Sequence, residues 1–182
     1  MKRTAVLLTL IALVFTSLAC SISLDLTPTP APALPTPTVA VATLPPATQT
    51  ITVYFTNEAR FAVGTEPYED AVTRQVPADL DPMRAILDQF FFGPTPEEYA
   101  AGLRLVNSGF THVRNLTIEN GIARVYLGGI CANNGAAYSV GSLIGKNLSQ
   151  FPQITAVKIY DENDSTLDPD SPNSSLPYCL EP

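Results

Sequence analysis

Apolar residues in the middle of the chain recur at helical spacing. Met83, Ile86, Leu87, Phe90 and Phe91 stand at i, i+3, i+4, i+7 and i+8, which is one face of an amphipathic helix. Asp81 is placed to cap it and Pro82 suits its first turn. Gly93-Pro94 ends it. Thr95-Pro96-Glu97-Glu98 then opens a shorter helix with a capping-box pattern. Ala136, Val140, Leu143, Ile144, Leu148 and Phe151 repeat the helical spacing further on, and Pro152 stops the run.

Alternation at period two marks the strands. Ile51 to Phe55 (ITVYF) is rich in β-branched and aromatic residues, and Ile154 to Tyr160 (ITAVKIY) reads as the last strand. Thr111 to Glu119 and Ile122 to Leu127 flank Asn120-Gly121, a strong short hairpin signal because both turn residues need positive φ. A two-residue loop pairs Ile118 with Ala123 and Leu116 with Val125, and sets these four side chains on one face. Phe61–Val63 and Ala71–Val76 read as two short extended pieces around a turn at Gly64–Pro67. Leu103 to Phe110 carries no clear pattern. The order predicts an α/β (α+β) domain, a small mixed sheet with two main helices on one face. A ferredoxin-like sandwich is the alternative topology.

The N-terminus has a different pattern. Lys2 and Arg3 precede an apolar run from Ala5 to Phe15, and Ser17-Leu18-Ala19-Cys20 follows. This is the layout of a secretory signal peptide, and its run is well short of the ~20 residues a membrane span needs. The cysteine resembles that of a bacterial lipobox, in which it is lipidated and becomes the first mature residue. Ser17 stands where that pattern prefers Leu. Seven of the 17 prolines lie between Pro28 and Pro46. Proline excludes helix and central strand, so the stretch reads as an extended tether that reaches on the order of 90 Å. The chain thus divides into a signal peptide at 1–19, a lipidated Cys20 with its Pro/Thr-rich tether at 20–49, a folded domain at 50–160 and a tail at 161–182.

Removing Lys2 and Arg3 leaves 8 basic against 17 acidic residues, a formal −9. Six of the acids (Asp161, Glu162, Asp164, Asp168, Asp170 and Glu181) fall in the tail, which has no Lys or Arg. No basic footprint for nucleic acid exists. Of three cysteines, Cys20 goes to lipid, and Cys131 and Cys179 remain as a candidate disulfide in an exported domain. Closing about 49 residues stabilises by at most ~4 kcal/mol on the chain-entropy model and pins the tail. Two free thiols or a metal site are the alternatives. With one histidine, His112, and no CxxC, the chain is poor in metal ligands.

The ordered set of features resembles the GerMN domain, a sporulation and spore-germination type of envelope domain. The resemblance runs from about Thr50 to Tyr160. It rests on the VYF strand, Arg74 ahead of the helix, the helix running into FFGPTPEE, and Gly102-Leu103. It continues through the LTIENGIARVYL hairpin, GSLIGKNLSQFP and ITAVKIY. It implies a small α/β domain like the ring-building motifs of secretion and sporulation assemblies, which serve protein contact without catalysis. One copy stands here where the sporulation protein carries two, and the cysteine-bearing tail is extra.

Candidate chemistry is thin. His112 with Cys131 poses as a Cys-His pair, but no third orienting group is identifiable and the disulfide uses Cys131. Ser139 and Ser142 lack a GxSxG setting. Glu97 and Glu98 fit a first-turn cap better than a paired acid and base. The tail has oxygen ligands for calcium, yet Thr166 stands where an EF-hand loop needs Gly and Pro172 where it needs Glu. The lipobox resemblance implies a bacterial chain, in which the glycosylation sequons opened by Asn115 and Asn147 carry little weight. Tyr54, Tyr126 and Tyr160 are the candidate interaction surface. The expectation is a non-enzymatic, lipid-anchored protein on the extracytoplasmic face of the cell membrane, with no cofactor and no metal. Its partner is an envelope protein or a second copy, or alternatively a cell-wall glycan or small solute.

Overall fold

The computed structural model describes residues 46–182. The signal peptide, Cys20 and most of the tether lie outside the described residues. The described elements are β1 (Thr48–Asn57), α1 (Glu58–Ala62), β2 (Glu69–Pro77), α2 (Pro82–Phe92), α3 (Pro96–Ala100) and β3 (Leu103–Arg104). They continue with β4 (Phe110–Glu119), β5 (Ile122–Gly129), α4 (Val140–Leu148), β6 (Ala156–Tyr160) and a 3-10 turn at Tyr178–Leu180. The domain is α/β with two main helices. Its strands divide between two three-stranded sheets, in the orders β2-β1-β3 and β4-β5-β6, instead of forming one mixed sheet or the single sheet of a ferredoxin-like sandwich. α2 packs on β1 and β4, α4 packs on β1 and β6, and the helices touch each other. The helices therefore bridge the two sheets, and the core forms between them around Phe55, Phe90, Leu87, Leu127, Leu143 and Ile144, all at most 2% exposed.

Local signals explain most elements. The Asp81 carboxylate accepts from Arg84 N–H and Gly93 closes α2. Met83, Ile86, Leu87 and Phe90 are buried while Phe92 is 82% exposed. Phe90 stacks on Phe55 with ring centroids 5.8 Å apart. Thr95 caps α3 in a complete capping box with Glu98 at N3. The hairpin has the expected register, Leu116 opposite Val125 and Ile118 opposite Ala123. Its turn places Asn120 at φ 52° and Gly121 at φ 79°. Ala123 and Val125 are buried, whereas Ile118, near the hairpin tip, is 38% exposed.

Three segments differ from the sequence pattern. Phe61–Val63 is not extended. Asn57 Oδ1 accepts from Arg60 N–H at 3.0 Å and starts α1, a single short helix. The second core helix starts at Val140 and not at Ala136, because Ser139 caps it and Asn133 closes its own turn onto Ala136. The tail is not a free loop. Ser175 pairs in parallel with Lys158 along the outer edge of β6, and Ser175 and Leu180 are buried.

Candidate functional site

The groups with chemical potential are each spent on local structure. Glu98 accepts from the Thr95 N–H at 2.8 Å and pairs with Arg74. Glu97 stays on the surface with its carboxyl below the usual range, because backbone N–H and Thr95 hydrogen bonds favour the charged form. Ser139 is a helix cap. His112 is exposed and its Nδ1 lies 3.0 Å from Thr111 Oγ1. Asp161 Oδ1 accepts from Asn163 and Ser165 N–H at 2.9 and 3.0 Å, closing its own loop. Among the described residues, no three His, Cys, Asp or Glu side chains are placed to hold a metal ion. The Asn147 amide is fully buried and is not an accessible sequon.

Arg74 ties the FFGPTPEE segment to β2. Its guanidinium donates to Gln89 Oε1 at 3.1 Å, to the Gly93 carbonyl at 3.1 Å and to Glu98. It also lies over the Phe55 ring, 5.6 Å from the centroid. Only 11% of the Arg74 side chain and 19% of the Glu98 side chain are exposed. The arrangement positions the ends of α2 and α3, and it leaves the Arg74 Nε buried without a hydrogen-bond partner.

The three candidate tyrosines do not share a sheet. Tyr54 is on β1, with Lys146 Nζ 5.1 Å from its ring centroid. Tyr126 and Tyr160 are parallel neighbours on β5 and β6 and stack with centroids 4.4 Å apart. Tyr160 is only 7% exposed, so it supports the sheet and offers little contact area. A different aromatic group is more open. Phe61, Tyr68 and Tyr138 lie 4.8–5.9 Å from one another, and Phe61 is 44% exposed. Burial beside Glu69 raises the Tyr138 hydroxyl above its ordinary pKa, with desolvation the main cause. This group combines α1, the turn before β2 and the loop before α4. No sequence period links those three places.

Cys131 and Cys179 are joined by a disulfide, with Cα atoms 6.3 Å apart. The tail they fasten also holds Lys158, a fully buried lysine whose Nζ donates to the Asp168 carbonyl. Beside it, an open groove of about 390 Å³ runs between α4 and β6. Gly141, Gly145, Ala156 and Leu176 line it, with Ser142 and Ser149 at the rim and no acid, base or thiol. Such a lining accommodates a surface contact and supplies no group for bond chemistry.

A family model described as "Germane: Sporulation and spore germination" matches residues 52–166. The end of the tail, including Ser175 and Cys179, falls beyond that match. Among solved structures, the chain is similar to the "Tandem GerMN domains of the sporulation protein GerM from Bacillus subtilis", at 21% identity and a TM-score of 0.48. That match covers 70% of this chain and 43% of the other, so the chain spans less than half the length of that structure. No curated protein matches.

Proposed function

The chain belongs to the Germane (sporulation and spore germination) family, and from that membership we propose a lipid-anchored envelope protein whose GerMN-type domain makes protein contacts without catalysis. The single observation that carries the anchor is the N-terminal pattern. Lys2-Arg3, a short apolar run and Ala19-Cys20 stand ahead of one compact domain. The non-catalytic role is supported by the local duties of Glu98, Ser139, Asp161 and Cys131 described above.

Replacing Cys20 with serine tests the anchor. We expect Cys20→Ser to move the protein from the membrane fraction to the soluble exported fraction. A variant that still sediments entirely with membranes refutes lipid anchoring. The groove with its serine rim favours a second reading, binding of a cell-wall glycan. Retention on purified peptidoglycan, set against cross-linking to neighbouring proteins, separates the two.

A further inference from the structure

Most strand edges in the domain are guarded, and β2 is not. The outer edge of β6 is taken by Ser174 and Ser175. β4 is interrupted by two irregularities in its pairing and gives its Val113 carbonyl to Arg84. The side of β1 away from β2 meets β3 at Thr56 and Asn57. Further along, Asn147 bonds both the N–H and the carbonyl of Tyr54, and Gln150 bonds the Thr52 carbonyl. These are the devices by which sheet proteins block unwanted pairing. β2 runs nine residues in unbroken register with β1, and among the described residues such devices reach only its two ends.

The direction of the β2 backbone groups follows from the ladder. In an antiparallel pair, both groups of one residue face the partner and those of the next face away. Asn57 N–H donates to the Tyr68 carbonyl, so the even residues of β2 face β1 and the odd residues face outward. At one end the outward Glu69 carbonyl is used by Arg60. At the other, Pro77 has no N–H and its carbonyl accepts from Leu80 and Gln49. Among the described residues, Ala71, Thr73 and Gln75 are left with N–H and carbonyl open, and all three side chains are exposed.

We infer that β2 pairs antiparallel with β2 of a second copy about a two-fold axis through Thr73. This rests on the protein-contact reading above and names its site and partner. The edge is self-complementary only in this register. It sets Thr73 against Thr73 and Ala71 against Gln75, and every N–H and carbonyl of these three residues finds a partner. Shifting the axis to Val72 calls on the occupied Glu69 carbonyl, and shifting it to Arg74 calls on Pro77. No like charges meet on the exposed face, and a Thr–Thr cross-strand pair is favourable. The contact is isologous and closes as a dimer.

Cysteine cross-linking in the full chain, in the exporting cell, tests the register. The two Thr73 Cα atoms would lie about 5.5 Å apart, within disulfide reach, while two Ala71 positions would be about 13 Å apart along the strand. We expect Thr73→Cys to yield a dimer on a non-reducing gel under mild oxidant, beyond any seen in the parent chain. Ala71→Cys alone should give none, and Ala71→Cys mixed with Gln75→Cys should restore it. Thr73→Pro removes one outward N–H and leaves the β1 ladder whole. Added to that mixed pair, it should keep the far-UV spectrum and abolish the cross-link. A monomeric Thr73→Cys, or equal dimer from Ala71→Cys alone, overturns the pairing. If formaldehyde then still captures a different envelope protein, the protein-contact reading stands without this inference; if it captures none, both fall.

Discussion

Asn147 holds α4 to the edge of β1, and replacing it with leucine tests how much that contact contributes. Its Oδ1 accepts from Tyr54 N–H at 2.9 Å, and its Nδ2 donates to the Tyr54 carbonyl at 3.1 Å and to the Leu143 carbonyl at 2.9 Å. The amide thus stands where the next strand would stand, and it is fully buried. Leucine has a similar size and makes none of these bonds. The Leu143 carbonyl keeps its helical partner, so two strand groups lose theirs. Each such loss costs about 1–3 kcal/mol, about 4 kcal/mol for the two at mid-range, and burying leucine returns roughly 1.5–3 kcal/mol. The expected net loss is about 1–3 kcal/mol. Urea unfolding followed by far-UV circular dichroism measures it as a lower midpoint at unchanged slope. Exchange of the Tyr54 amide hydrogen should accelerate as well, since that N–H loses its acceptor. Exposed Asn115→Leu is the control and should stay within about 0.5 kcal/mol. A loss below about 1 kcal/mol, with Tyr54 exchange unchanged, would refute the account of Asn147 as an edge cap.

Phe90→Ala removes a fully buried ring stacked on Phe55 and should cost about 3–5 kcal/mol, against about 0.5 kcal/mol or less for the exposed Phe92→Ala; equal losses in urea would mean the wrong face of α2 has been assigned to the core. The Asp70 carboxyl is held below its ordinary pKa, first by the Arg60 hydrogen bond and then by Asn57. Its stabilisation is therefore present above the unfolded-state value near 3.9 and is lost as pH falls through the lower folded value. The Tyr138 hydroxyl is raised, so its share is full below about pH 10 and is lost as pH rises further. Thermal melts across pH should show Asp70→Asn with a flatter acid limb and Tyr138→Phe with a flatter alkaline limb, and limbs identical to the parent would refute both assignments.

The sequence by itself determined what is local. Asp81 and Thr95 act within one helical turn, and Asn120-Gly121 acts through the φ of two residues, so those two caps and the hairpin register could be read directly. The buried stripe of α2 followed from spacing alone. The N-terminal pattern likewise needs no fold to be recognised, although Cys20 and the segment around it lie outside the described residues. Tertiary structure decided which strands meet. β1 has the alternation of a strand that could sit beside several others, and a backbone edge is nearly identical for every residue type. The division into two sheets therefore depends on Asn147 from α4 and Gln150 from the turn after it, more than ninety residues away in sequence. The same reason hid Arg74 behind Glu98, brought Phe61 to Tyr138, and laid the acidic tail along β6. It also buried Tyr160, which alternation alone could not place on an inner or outer face. Local chemistry chose the elements, and non-local hydrogen bonding chose which edges were closed and left the β2 edge open.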